Sequence, residues 1–339
     1  MRRPAKPISA LTLLSLSFVF SLCAGQGHAQ TEEANTAIVI QQEDLVKARD
    51  LFNTQHVDNP YKTDGTALVP PPDKFRAVRY SAQNGKLFAY LSPDPGDGKR
   101  HPAVVWAHGG YGGIDRWLWE KTDRQDPGKF REAGIVVLCP SWRGENDNPG
   151  QFQLFYGEVD DAAAAVEYLS KVSYVDPARI YLVGHSTGGT VTLLAAEVSK
   201  KLRAAFSFGG CPDLQHLLKA TDGKVYNDFV PFEWRTRKEE ARLRSPINFL
   251  LSLSAPTFYF EGEESAFYVR DALKMQSEAK KIQKPFYAFP IHGGNHFNIL
   301  QPLTELIAKK ILADVGPKCN IAFLPDEPQT YFEAHKDAP

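Results

Sequence analysis

The sequence predicts an α/β fold: a mostly parallel, doubly wound sheet of eight strands with a short helical insertion after the sixth. Three observations predict it. Eight short apolar, strand-like runs recur along the chain. Most of them are continuous rather than alternating, as strands buried on both faces are. From the third run onward, helical patterns separate one run from the next, which is how parallel strands are connected.

Residues 75–81 and 87–92 come first, joined at Asn84-Gly85. Asn-Gly suits a tight hairpin, so the sheet should start antiparallel. Next come 103–107 (AVVWA), 135–139 (IVVLC), 180–183 (IYLV), 204–208, 257–260 and 285–289. Helical patterns fall at 127–133, 159–172, 187–201, 265–281 and 299–315. Residues 212–248 interrupt the alternation. They are polar and partly helical, and read as an insertion over the sheet's C-terminal edge. Before the first run, 43–52 is helix-like and Val69-Pro70-Pro71-Pro72 is an extended linker.

The chain divides accordingly: a signal peptide at 1–29, an N-terminal extension and linker at 30–72, the α/β domain at 73–316 and a tail at 317–339. The leader rests on Arg2, Arg3 and Lys6, on the apolar stretch 8–22, and on Gly27-His28-Ala29 as a small-residue cleavage site. The stretch is short for a membrane span. Its removal takes the formal charge from −1 to −4 and sends the protein to the periplasm or outside the cell. No basic block supports nucleic-acid binding. Of four cysteines, Cys139, Cys211 and Cys319 remain, an odd number that cannot complete a disulfide framework. No spacing resembles a metal site, and nothing in the chain demands a partner copy.

Chemistry concentrates in three places. Gly184-His185-Ser186-Thr187-Gly188 fits the G-x-S-x-G pattern between a strand-like run and a small-residue helix, the context in which a serine is thrust out on a strained turn. A serine hydroxyl needs a base. Ile291-His292-Gly293-Gly294-Asn295-His296 follows the last strand, and His296, just before a helix, is favoured over His292. A zinc site on these two histidines lacks a third ligand nearby. His108-Gly109-Gly110-Tyr111-Gly112-Gly113 follows the third run. An oxyanion hole would then use the N–H groups of Thr187 and Tyr111, with Gly110 the alternative to Tyr111. The acid that orients the base is sought among Glu261-Gly262-Glu263-Glu264 at the end of the seventh run. Glu264 is favoured, with Glu263 and Asp213 competing.

In order, HGGYGG, PSWRGENDNPG, GEVDDAAAAVEYL, VDPARIYLVGHSTGG, LRSPINFL, APTFYFEGEES and HGGNHF cover about 76–312. This set resembles the catalytic domain of the prolyl oligopeptidase family, within the α/β-hydrolase superfamily. The resemblance implies an α/β-hydrolase fold, Ser186 as nucleophile and His296 as base. It implies an Asp three residues after Gly262, where this chain has Ser265, so Glu264 or another carboxylate has to serve. Residues 30–72 are too few for the family's β-propeller. The expected function is cofactor-free and metal-free hydrolysis of a short peptide or small ester through an acyl-enzyme. A small-molecule carboxylesterase, or a non-catalytic binding protein on the same scaffold, are the alternatives.

Overall fold

Eight strands form one sheet in the order β1-β2-β4-β3-β5-β6-β7-β8 in a computed structural model that describes residues 42–54, 65–120, 125–226 and 229–337. The leader expected at 1–29 lies outside the described residues, as does 30–41. The strands are β1 (Arg76–Ala82), β2 (Gly85–Leu91), β3 (His101–Ala107), β4 (Val136–Pro140), β5 (Val175–His185), β6 (Ala204–Phe208), β7 (Thr257–Gly262) and β8 (Phe286–Ile291). β2 runs antiparallel to both β1 and β4, and every other pairing is parallel. This is the expected hairpin start followed by a parallel sheet.

The helices are α1 (Leu45–Asp50), α2 (Trp117–Glu120), α3 (Gly128–Glu132), α4 (Gly157–Leu169), α5 (Thr187–Val198), α6 (Leu214–Ala220), α7 (Lys238–Arg242), α8 (Ala266–Lys281), α9 (Leu300–Ala313) and α10 (Glu327–His335). The central strands are apolar throughout because both faces are covered. On one face Ala103, Val105, Leu182 and Ala205 leave room for α4 and α5. The other face is aromatic. Phe206 stacks on Phe258 at 5.3 Å and Phe208 on Phe260 at 5.4 Å, with α3, α9 and α10 closing over them.

Both flanks of the expected domain join this body. Asp44 caps α1 by accepting from Lys47 N at 3.0 Å. Leu45 is buried, its N–H bonded to Ser252 Oγ, and Arg49 grips Asp160 through its two terminal guanidinium nitrogens. At the other end the expected tail is a structural element. Phe323 packs edge-on against Phe258 and Phe260, and Phe332 of α10 is fully buried. Asp314 secures this region, accepting from Arg203 Nε and Nη2 (2.6 Å each), Tyr181 Oη (2.7 Å) and Asn320 N (3.0 Å). Burial works against its charge, but these donors prevail and bring its pKa down to about 2.

Candidate active site

The strand-to-helix turn between β5 and α5 places Ser186 at φ 56°, ψ −116°, a region costly for any residue with a Cβ. The turn is tight because the backbone behind it is close. A Cβ on Gly188 would run into the carbonyl oxygens of Ala107 and His108 at the end of β3. Ser186 N–H donates to Phe208 O at 2.7 Å, fastening the turn to the end of β6.

His296 reaches the same place from the far side of the sheet. Its loop leaves β8 and turns on Asn295, whose Oδ1 accepts from Phe297 N and Asn298 N. The His296 ring then lies against Gly209, the residue after Phe208, where a Cβ would strike both the ring and Glu261 Oε2. His296 Nδ1 and Glu261 Oε2 are 2.8 Å apart. The Glu261 side chain is fully buried and its other oxygen accepts from Gly262 N at 2.9 Å.

The carboxylate on His296 is therefore Glu261, and this corrects the expectation of Glu264. Glu264 is exposed on the turn Glu263–Ser265 after the strand. Glu263 pairs instead with the exposed His292, Oε2 to Nδ1 at 2.9 Å. Asp213 caps α6, accepting from His216 N. Strand alternation decides the matter. Phe258 and Phe260 face the aromatic layer, so Tyr259 and Glu261 face the other way. The long side chain of Glu carries its carboxylate from the strand to His296.

The glycine-rich loop after β3 lies beside the serine turn, with Thr187 Oγ1 donating to Gly110 O at 2.9 Å. The loop is held from below by the segment after β4. His108 Nε2 meets the buried Glu145 carboxylate at 3.0 Å. Burial opposes a charge on His108, but Glu145 overrides it and raises the imidazole pKa. Asn146 Oδ1 accepts Ile114 N–H at 2.8 Å while its amide donates to Ile114 O. Arg143, nearly fully buried, forms a two-pronged bond to Asp161 of α4. The Tyr111 ring stacks on Phe229 of the insertion at 4.3 Å and meets Phe152 edge-on at 4.7 Å. This contact confirms that the insertion lies over the C-terminal end of the sheet.

The structure thus brings together Ser186, Thr187, Tyr111 and His296, and leaves Glu264 outside. Sequence reasoning did not single out Glu261, Glu145, Asn146 or His185, although each stood within a motif it quoted. A buried strand position was the signal available for Glu261. Among the described residues, no three His, Cys, Asp or Glu side chains gather as a metal would need, and no helix is long and apolar enough to cross a membrane.

A model of the prolyl oligopeptidase family matches residues 123–306, more than half of the chain. The chain belongs to the prolyl oligopeptidase family. As a member of the prolyl oligopeptidase family with an α/β-hydrolase fold, it is a serine hydrolase. It is 23% identical over 217 residues to the uncharacterized peptidase YtmA of Bacillus subtilis (strain 168), covering 60% of this chain and 78% of that one. Among solved structures, an acylaminoacyl peptidase of Pyrococcus horikoshii superposes with a TM-score of 0.60 at 18% identity, over 75% of this chain and 44% of its own. An esterase of Pyrobaculum calidifontis superposes with a TM-score of 0.56 at 18% identity, over 72% of this chain and 86% of its own. The chain thus spans less than half of the P. horikoshii peptidase, and these two likenesses carry the fold.

Proposed function

We propose that this family member cleaves short peptide amides or small esters through an acyl-enzyme formed on Ser186. The observation that carries the reading is the strained Ser186 fastened to the end of β6, where a histidine oriented by a buried carboxylate also arrives. Ser186 Oγ attacks the carbonyl carbon, and His296 Nε2 takes the hydroxyl proton. Glu261 holds the Nδ1 proton, fixes the tautomer and stabilises the imidazolium that forms. Thr187 and Tyr111 present N–H groups to the oxyanion, at the helix end and on the glycine-rich loop. His296 returns its proton to the leaving group, and water repeats the sequence to release the acid.

Tyr111, Phe152 and Phe229 form an aromatic wall beside Gly110 and Thr187, which suits a substrate with an apolar group next to the scissile bond. The pattern at 1–29 supports action in the periplasm or outside the cell. The peptide reading is supported by relatives named as peptidases, the Bacillus protein and a dipeptidyl-peptidase 5 of Porphyromonas gingivalis. The second reading, a carboxylesterase, is favoured by the P. calidifontis esterase, of which this chain spans 86%.

A panel of aminoacyl and dipeptidyl arylamides set against p-nitrophenyl esters distinguishes them by kcat/KM. Turnover of arylamides with apolar side chains supports the peptidase. Turnover of esters alone moves the assignment to the carboxylesterase. No turnover of either contradicts both.

A further inference from the structure

The residue before the nucleophile has a buried contact that the reaction scheme does not use. His185 is 1% exposed at the end of β5. Its Nε2 lies 2.9 Å from the backbone oxygen of His296, and its ring centroid is 4.6 Å from the His296 ring. Its Nδ1 lies 2.7 Å from Gln125 Oε1. Asp126, the next residue, accepts from Gln301 in the first turn of α9, so the Gln125 segment is fastened to the helix that follows the histidine loop.

The proton positions follow from the partners. A carbonyl oxygen only accepts, so Nε2 carries a hydrogen and donates it to His296 O. Burial, with the adjacent His296, holds the His185 pKa well below the ordinary imidazole value, so the ring is neutral and Nδ1 is bare. A bare Nδ1 and Oε1 are both acceptors, so the Gln125 amide is assigned the other way round, with its NH2 end toward the ring; the two ends have the same outline. His185 is thus a fixed, uncharged donor on the base's own backbone.

We propose that His185 is a positioning residue for His296: its Nε2–H to His296 O bond and its ring contact set the imidazole against Glu261 on one side and Ser186 on the other. This assignment rests on the proposed roles of Ser186 and His296. His296 has one strong side-chain tether, Glu261, which lets the ring pivot about Nδ1. The His185 ring against the His296 ring narrows that pivot, and the bond to His296 O fixes the backbone that carries it. A neutral donor suits the task, because a cation beside His296 would oppose the imidazolium that each proton transfer creates. A small error in such an alignment costs up to about 10²-fold in rate.

The test compares His185→Gln, which keeps an N–H at the place of Nε2, with His185→Met, which keeps similar bulk and no donor. The readout is the rate of covalent labelling of the full chain by a fluorophosphonate, with thermal melting in parallel. His185→Met should label about 10–10²-fold more slowly. His185→Gln should restore most of the rate. Equal rates in Met, Gln and wild type overturn the positioning role. Equal loss in Met and Gln, or loss that follows melting temperature, overturns it in favour of plain packing. A wild type that does not label overturns the hydrolase reading, and this assignment with it.

Discussion

Glu261 shows what one residue decides. Its carboxylate is inside the sheet's end, one bond from His296, while Glu264 three positions later is in water. Removing the acid of a Ser-His-acid system leaves the base in the wrong tautomer and costs about 10⁴-fold in kcat. Glu261→Gln is expected to lose roughly 10³–10⁴-fold in kcat with KM little changed, while Glu264→Gln stays within about twofold, as exposed substitutions do. Steady-state kinetics on the two purified variants checks this, and full activity in Glu261→Gln sinks the assignment. The serine, the base and the glycine-rich loop were legible because each belongs to a local pattern: strand, turn, helix. The acid was not, because which carboxylate meets His296 depends on which face of β7 it occupies. That is fixed by the neighbours Phe258 and Phe260 packing into the aromatic layer, not by spacing from a glycine.

At the scale of elements, the strands were legible because burial on both faces writes a continuous apolar run. Six of the expected helices appear within a few residues of their places. The exceptions are α10 and the short α2, whose packing partners are distant in sequence. Phe323 and Phe332 find their places only against β7, β8 and α9, so residues 317–339 read as a C-terminal tail. Asp314 is the hinge of that arrangement, joining β5, β6 and the C-terminal segment. Its carboxyl is about 2 in the folded protein against 3.8 as a free side chain. A depressed carboxyl contributes stability that is fully present above pH 4 and lost as pH falls toward 2, on the order of 2 kcal/mol. Asp314→Asn should therefore lower Tm at pH 7, and the difference from wild type should shrink as the pH approaches 2. Thermal melts at pH 7, 5, 4 and 3 read this out, and a gap that stays constant with pH rules out the ionised latch.

Across the whole molecule, the described residues form one unit in which chemistry sits on one edge. The C-terminal ends of β3, β5, β6, β7 and β8 each deliver one part: the glycine-rich loop, Ser186, the backbone seat at Phe208 and Gly209, Glu261 and His296. The insertion after β6 then covers this edge through Phe229. A parallel sheet makes that convergence possible, since all these strands end on the same side. The claim that matters most is that this edge activates Ser186. Labelling of the purified chain with a fluorophosphonate, followed by mass mapping of the adduct, tests it most directly. One adduct is expected, on Ser186, absent from Ser186→Ala and strongly slowed in Glu261→Gln. An adduct on another residue, or labelling that persists in Ser186→Ala, would contradict it.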